Sequence, residues 1–116
     1  MSDPSFKYLH FSQSIRRINK RYKLTDYKQV MVLEAVLSAH AEKVTLSVLD
    51  LILLKEIASQ ATLHKALKEL IADRYLMLKA DPHDGRARHI QVTKKTNDLV
   101  QKVSKLIEKS AQLNPK

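Results

Sequence analysis

Residues 75–92 read YLMLKADPHDGRARHIQV, and this segment predicts a β-hairpin. The predicted strands run from Tyr75 to Ala80 and from Arg86 to Val92, because apolar and polar residues alternate in both. The segment between them has the composition of a turn. Pro82 fixes one φ, Asp84 can bond its own backbone, and Gly85 permits a positive φ. The residues expected to face the core are Leu76, Leu78, Ile90 and Val92.

A helix is predicted just before this hairpin, starting after Ser59, a residue type favoured at the N-cap. Its apolar face is formed by Leu63, Ala66, Leu67, Leu70 and Ile71. Its other side is small, polar or basic, with Gln60, Ala61, Thr62, His64, Lys65, Lys68 and Glu69. Taken alone, this segment is also compatible with an ordinary surface helix. Two helices with a short break, the second exposing such a face, are what reading a major groove requires.

The hairpin changes this interpretation, because a hairpin directly after a candidate recognition helix is a wing. Arg86, Arg88 and His89 lie at its tip. Arginine is the side chain that a narrow minor groove attracts. The two elements together therefore favour a surface that binds duplex DNA.

Two further helices are predicted upstream of Ser59. The first starts with Thr25 as N-cap and Asp26 in the first turn, and it ends near His40. Its buried stripe is formed by Val30, Leu33, Val36 and Leu37. Thr45 is the candidate cap of the second helix. Residues 46–54 are apolar nearly all round, which predicts burial on several sides.

The two ends of the chain predict amphipathic helices, at residues 5–22 and 93–113. The apolar seams are Tyr8, Phe11, Ile15, Ile18 and Tyr22 in the first, and Leu99, Val100, Val103, Leu106 and Ile107 in the second, which Thr93 can cap. We expect the seams to pack across the two-fold axis of a homodimer, since so small a domain has few places to bury them. Packing of the first helix on its own domain is the alternative. The predicted dimerisation residues are Phe11, Ile15, Ile18, Leu99, Val103 and Leu106.

Composition narrows the functional class. The 116 residues fit one domain, 1–116, with a DNA-binding core at 24–92 that includes the wing at 75–92. The 21 lysines and arginines outnumber the 12 acidic residues, and a net charge of +9 suits a polyanionic partner such as nucleic acid. The absence of cysteine excludes disulfides and thiolate metal sites, and a single glycine excludes a glycine-rich phosphate loop.

The sequence also argues against a metal site, a cofactor, a catalytic site and a membrane span. The five histidines lack the spacing of a metal site on one helix face, so no metal site is predicted. No cofactor and no catalytic residue is predicted either. No apolar run approaches the length of a membrane span, and no signal-peptide pattern is present. We therefore expect a soluble cytoplasmic protein, associated with the nucleoid and without a membrane partner.

Several segments of the chain carry motifs that occur together in one family. They are Leu24-Thr25 with Gln29 and Leu33, residues 59–70, Asp81-Pro82-His83-Asp84-Gly85-Arg86, and Val92-Thr93. With them the sequence resembles the MarR family of bacterial transcription regulators over roughly residues 24–99. The third segment is similar to the family's D-x-x-D-x-R wing. The resemblance implies that Asp84 orients Arg86, which enters the minor groove, and that the major-groove contacts come from Gln60, Thr62, His64 and Lys65.

The sequence departs from the family pattern at several points. Tyr75 and Thr96 stand where the family usually has glycine, and the segment between Thr45 and Ser59 is a few residues longer. One helix follows the wing, where typical members have two. Because the second helix helps to build the pocket for small phenolic effectors, at most a weak response to a small-molecule effector is expected.

The sequence thus predicts a mainly α fold with a small β-hairpin wing, a winged helix-turn-helix with terminal dimerisation helices. The predicted function is a dimeric, sequence-specific transcription regulator that binds double-stranded DNA and is not an enzyme. The alternatives are a DNA-binding module without a regulatory role (a plasmid replication, partition or nucleoid factor) and a winged helix used as a protein-interaction module. The predicted DNA-binding residues are Ser59, Gln60, Thr62, His64, Lys65, Lys68, Asp84, Arg86 and Arg88.

Overall fold

The computed structural model describes residues 4–112, with side chains as far as Lys109. The helices are α1 (Pro4–Arg21), α2 (Tyr27–Ala41), α3 (Val48–Ile52), α4 (Gln60–Ala72) and α5 (Lys94–Gln112), and the strands are β1 (Leu76–Ala80) and β2 (Arg88–Val92). The chain divides into two compact units. One runs from Asp26 to Thr96, and the other joins the residues up to Thr25 with those from Asn97 onward. The predicted mainly helical fold with a hairpin wing is confirmed.

The core of the 26–96 unit is built around α4. Leu63, Ala66, Leu67 and Leu70 of this helix are buried, as the sequence predicts. α2 packs against α4 and contributes Val32, Leu33 and Val36 to the core. Leu76 and Ile90 close the core from the hairpin side. Ile71, the fifth residue of the predicted apolar face, is half-buried, so four of the five residues fix the recognition-helix candidate in the core.

The hairpin is antiparallel and pairs Leu76 with Val92 and Ala80 with Arg88. Its first strand departs from the predicted alternation, because Leu78 is 39% exposed although it pairs with the buried Ile90. The second strand begins at Arg88 and not at Arg86. The reason is that residues 84–87 close the turn, with Ala87 N–H donating to the Asp84 carbonyl at 3.1 Å.

β2 also pairs on its other edge with the segment that leads into α3. The Ile90 N–H donates to the Leu46 carbonyl at 2.8 Å, and Ser47 forms an isolated bridge with His89. Gly85 does not use the positive φ that glycine permits. The side chains of Asp81 and Asp84 bond to the backbone of the turn, as described below.

Two predicted N-caps are wrong by one or two residues. Asp26 caps α2, accepting from the Lys28 N–H at 2.8 Å, where Thr25 was expected. Ser47 caps α3, where Thr45 was expected, because Asp50 stands three residues after Ser47 and completes a reciprocal capping box. Ser59 caps α4 as predicted.

The expectation that residues 46–54 are buried on several sides is also wrong. α3 has only five residues, so little more than one turn faces the core. Leu51 is completely buried, whereas Leu49 is 61% exposed and Leu53 is also exposed. The apolar run therefore covers a short helix of which only one side is packed.

Three helices end in the same way, each with a basic residue in the left-handed conformation. Lys23, Lys43 and Arg74 have φ values of 62°, 60° and 68°, one residue beyond the caps of α1, α2 and α4. In each case the N–H of this residue and that of the next one donate back to the last turn, the pattern of a Schellman motif. Glycine usually takes this position, and a chain with one glycine fills it with cations.

The end of α4 is tied to the start of α5 through the Tyr75 carbonyl. This oxygen accepts from the Thr96 hydroxyl at 2.6 Å, and the Thr93 hydroxyl lies 3.0 Å away. Lys95 Nζ donates to the Asp73 carbonyl at 2.9 Å and lies 4.1 Å from the centroid of the Tyr75 ring, a cation–π distance. Thr93 caps α5 as predicted, since its hydroxyl oxygen accepts from the Thr96 N–H. The two positions at which the family usually has glycine are thus bonded to each other.

We expect Thr96→Val to lower the free energy of unfolding by about 1–2 kcal/mol, because the Thr96 side chain is 0% exposed and its hydroxyl cannot be replaced by water. Urea denaturation would measure the change. Thr45→Val is the matched control, since Thr45 is exposed. Equal midpoints for the two variants would contradict this role for the Thr96–Tyr75 bond.

The second unit consists of α1 and most of α5, and much of its apolar surface is not fully buried. Phe11, Ile15 and Ile18 are half-buried, as are Val103 and Leu106, while Leu99 is buried. Tyr8 does not belong to the buried seam, since it is 67% exposed. Lys102 Nζ lies 5.0 Å from the centroid of the Tyr22 ring. Among the described residues, no helix is long and apolar enough to cross a membrane.

Candidate nucleic-acid interface

The N-terminal half of α4 presents a polar and basic surface next to α3. Gln60, His64, Lys65 and Lys68 are all exposed, because Leu63, Ala66 and Leu67 direct the opposite face into the core. With Ile52, Ala61 and Glu69 they line an open groove of about 620 Å³. Four of the predicted DNA-binding residues therefore share one groove.

Ser59 and Thr62 form the cap of this helix and do not line the groove. The Ser59 oxygen accepts from the Thr62 N–H at 3.3 Å, and its hydroxyl donates to Thr62 Oγ1 at 3.0 Å. Thr62 is half-buried and lines a smaller cavity of about 170 Å³ together with Asp26 and Lys28 of the α2 start. Of the residues predicted to contact the major groove, Thr62 is thus the least accessible.

One carboxylate lies among the cations of the groove, and a residue of α2 holds it. Gln29 Nε2 donates to Glu69 Oε1 at 2.9 Å. The bond holds the Glu69 side chain against α2 and joins α2 to α4 across 40 positions of sequence. Sequence reasoning noted Gln29 as part of a motif but gave it no role. Its partner lies too far along the chain for a local pattern to identify it.

The wing tip is shaped by Asp84 and Arg88. Asp84 Oδ1 accepts from the backbone N–H of Arg86 at 3.0 Å, so Asp84 positions the main chain of Arg86. Among the described residues, no ion pair joins Asp84 to the Arg86 guanidinium. Arg88 folds back onto the turn, with Nη1 2.9 Å from the Gly85 carbonyl. Arg86 and Arg88 are both exposed, and the Arg88 guanidinium is bonded to the turn.

Asp81, at the start of the turn, organises the other side of the wing. Its Oδ1 accepts from the His83 N–H at 2.7 Å, and its Oδ2 lies 2.9 Å from His89 Nε2 on β2. The hydrogen bond from the His83 backbone, with a smaller contribution from His89, lowers the pKa of the Asp81 carboxyl below its ordinary value. Asp81 thus stays ionised and holds the turn against β2. Sequence reasoning placed Asp81 in the wing motif without this role.

The described residues contain no group of three or more histidine or acidic side chains placed to hold a metal ion. Lys65 and Lys68 in the groove and Arg86 at the wing are exposed cations of the 26–96 unit. Cations at these two places, together with a polar helix face, suit a ligand that is itself a long polyanion.

Comparisons with known proteins agree with this geometry. A family model described as "Transcriptional regulator SarA/Rot" matches residues 13–103. A search of curated protein sequences gave no significant match. Among solved structures, a complex of MepR from S. aureus with DNA has a TM-score of 0.76 and 16% identity, covering 94% of this chain and 78% of that one.

Two more solved structures share the fold. The transcriptional regulator Tm0710 from Thermotoga maritima has a TM-score of 0.66 and 21% identity, with coverage of 94% and 75%. A structure of MarR has a TM-score of 0.59 and 22% identity, with coverage of 96% and 80%. At these identities the likeness shows the winged-helix fold of MarR-type proteins.

Proposed function

The chain belongs to the SarA/Rot family of transcriptional regulators, which are not enzymes, and on that basis we propose that it binds double-stranded DNA sequence-specifically as a homodimer. MepR, which shares the fold, was crystallised in complex with DNA. The observation that carries the proposal is the groove face of α4, which is polar, basic and exposed, next to a wing that ends in Arg86.

The residues of this surface divide into two roles. Lys65, Lys68 and Arg86 carry charge and are suited to phosphates, which position a protein on the duplex without reading its sequence. Gln60 and His64 carry side-chain donors and acceptors at the N-terminal half of α4, where a recognition helix meets base edges. Ser59, Thr62, Asp84 and Arg88 support the surface, because each is engaged in a cap or turn bond.

The apolar surface of the terminal helices supports dimerisation. The predicted dimerisation residues other than Leu99 remain half-buried in the single chain. Phe6, Leu9 and Ile107 are exposed on the same two helices. Burying this surface against a second copy would stabilise a chain of 116 residues that is otherwise marginal in size.

Assembly can be tested by sedimentation equilibrium. We expect a dimer at micromolar concentration, because α1 and α5 together expose large apolar side chains in water. Ile15→Asp and Leu106→Asp should shift the equilibrium to monomer, whereas Leu49→Asp, which changes an exposed leucine of α3, should not. A wild-type protein that sediments as a folded monomer at that concentration would overturn the dimer.

The function is tested by selecting bound duplexes from a random pool. A two-fold dimer presents two α4 helices about one duplex turn apart, so we expect an inverted repeat with half-sites about 10 bp apart, or a multiple of that. Gln60→Ala and His64→Ala should each change the preferred base at one position of each half-site, because a side chain bonded to a base edge contributes about 1–3 kcal/mol of discrimination. Ser38→Ala, on an exposed site of α2, is the control.

The outcomes separate the alternatives. Binding with no preferred sequence would indicate a DNA-binding module without operator recognition. Folded protein that binds no duplex would favour the winged helix as a protein-interaction module. An unchanged selected sequence for both Gln60→Ala and His64→Ala would show that the groove face of α4 does not read bases.

A further inference from the structure

The second half of α1 carries a concentration of positive charge that the winged helix does not use. Arg16, Arg17, Lys20 and Arg21 lie on the helix and Lys23 follows it, and all five are exposed. No acidic residue occurs between positions 4 and 25. We call these five side chains the α1 basic face.

The four residues of the α1 basic face that belong to the helix lie on one side of it and do not overlap the apolar seam. At 100° per residue, Arg16, Lys20, Arg17 and Arg21 fall within an arc of about 140°. Phe11, Ile15 and Ile18 fall on the roughly opposite side of the same helix. A helix that buries its seam against another copy therefore still presents the α1 basic face to solvent.

Within the part of the chain whose side chains the structure describes, the charge of this face is not compensated by a carboxylate. Arg16 donates to the neutral Ser12 hydroxyl at 3.1 Å. Among residues 4–109, the one contact between a carboxylate and a basic side chain joins Asp81 to His89.

Helix stability does not explain the pattern either. Arg16–Lys20 and Arg17–Arg21 are like-charge pairs at spacing i, i+4, which destabilise a helix. The C-terminal end of a helix attracts cations, but this effect is confined to the last turn, and Arg16 and Arg17 lie before it.

We propose that the α1 basic face binds the phosphate backbone of duplex DNA outside the segment that α4 and the wing contact. The inference rests on the proposed function for the presence of DNA. Residues 16–23 extend over about 10 Å, and a duplex carries one phosphate charge per about 1.7 Å of its axis, so several cations can be matched. Because the flanking duplex is covalently continuous with the operator, its effective concentration at the bound protein is high.

The test compares two duplexes. One contains only the selected inverted repeat, and the other extends it by about one and a half helical turns of random sequence on each side. In Arg17→Gln/Lys20→Gln/Arg21→Gln, the affinity for the long duplex should fall at least tenfold, and the affinity for the short duplex should stay within twofold. The salt slope is the slope of the logarithm of the binding constant against the logarithm of the salt concentration. For the long duplex its magnitude should fall by about 0.9 for each phosphate that is no longer neutralised, hence by up to about 5 in a dimer.

The control is Lys55→Gln/Lys105→Gln/Lys109→Gln, which removes the same charge from exposed lysines elsewhere. It should leave both affinities within twofold of wild type. Arg17→Lys/Arg21→Lys keeps the charge and should retain binding to the long duplex, because phosphate neutralisation needs a cation and not a guanidinium. Circular dichroism and sedimentation confirm that each variant remains helical and assembled as wild type.

Each other outcome overturns the inference. If the triple variant lost as much affinity for the short duplex as for the long one, the α1 basic face would lie on the operator itself. If the lysine control lost as much affinity as the triple variant, the effect would come from net charge. Loss of binding to phosphatidylserine vesicles with unchanged affinity for the long duplex would assign the face to a lipid surface. Wild-type protein that binds neither duplex would overturn the proposed function as well, whereas operator binding unaffected by the triple variant would overturn this inference alone.

Discussion

Replacing Leu70 by alanine is expected to lower the free energy of unfolding by about 3 kcal/mol, a large effect for a single residue. Leu70 is 0% exposed, on the buried face of α4. Removing its terminal carbons forfeits their transfer free energy and leaves a cavity that α2 and the hairpin can only partly fill. Urea denaturation at a fixed protein concentration measures the change, since a dimer makes the midpoint depend on concentration.

The matched control for this substitution is Leu49→Ala, which removes the same atoms from a side chain that is largely in solvent. We expect its effect to stay within about 0.5 kcal/mol. The same cavity should loosen α4, so Leu70→Ala should also weaken operator binding at temperatures where the wild type is fully folded. A difference between the two variants of less than about 1 kcal/mol would contradict the assignment of α4 as the centre of the core.

Arg86→Ala should cause the largest loss of DNA affinity of any single substitution in the wing. Arg86 is an exposed cation at the tip, and Asp84 fixes its backbone through the 3.0 Å hydrogen bond. One charged interaction is worth about 1.5 kcal/mol, so removing one from each wing of a dimer should weaken binding on the order of 100-fold. The salt slope should fall by about two units if each Arg86 touches one phosphate.

Arg88→Ala is the informative comparison. Arg88 donates to the Gly85 carbonyl, so its removal should weaken binding through the shape of the turn and leave the salt slope nearly unchanged. Filter binding or fluorescence anisotropy between about 50 and 200 mM salt separates the two variants, because binding that depends on phosphates weakens steeply over this range. Equal salt slopes for Arg86→Ala and the wild type would show that Arg86 is not part of the DNA interface.

Local patterns predicted the parts of the fold that local physics determines. Ser59 caps α4, and the apolar residues behind it at spacings of three and four are buried. The hairpin lies where the two predicted strands and the turn residues between Asp81 and Gly85 indicated it. Each of these features depends on residues only a few positions apart.

The errors arose where adjacent residues compete or where the deciding contact is distant. Thr25 and Asp26 are both good caps, and only Asp50 at N3 distinguishes Ser47 from Thr45. The bond from Gln29 to Glu69 and the bond from Asp81 to His89 join residues that no short pattern associates. Asp84 was expected to orient the Arg86 guanidinium, whereas in the described residues its Oδ1 accepts from the Arg86 backbone N–H.

At the three left-handed helix ends, higher thermal stability and stronger attraction for polyanions require different residues. Lys23, Lys43 and Arg74 occupy positions where glycine would relieve about 1 kcal/mol of backbone strain each. Glycine at all three would raise the melting temperature on the order of 10 °C, but it would remove three of the 21 basic residues. Glycine at these three sites would therefore raise thermal stability and weaken the attraction of the chain for a polyanion at the same time.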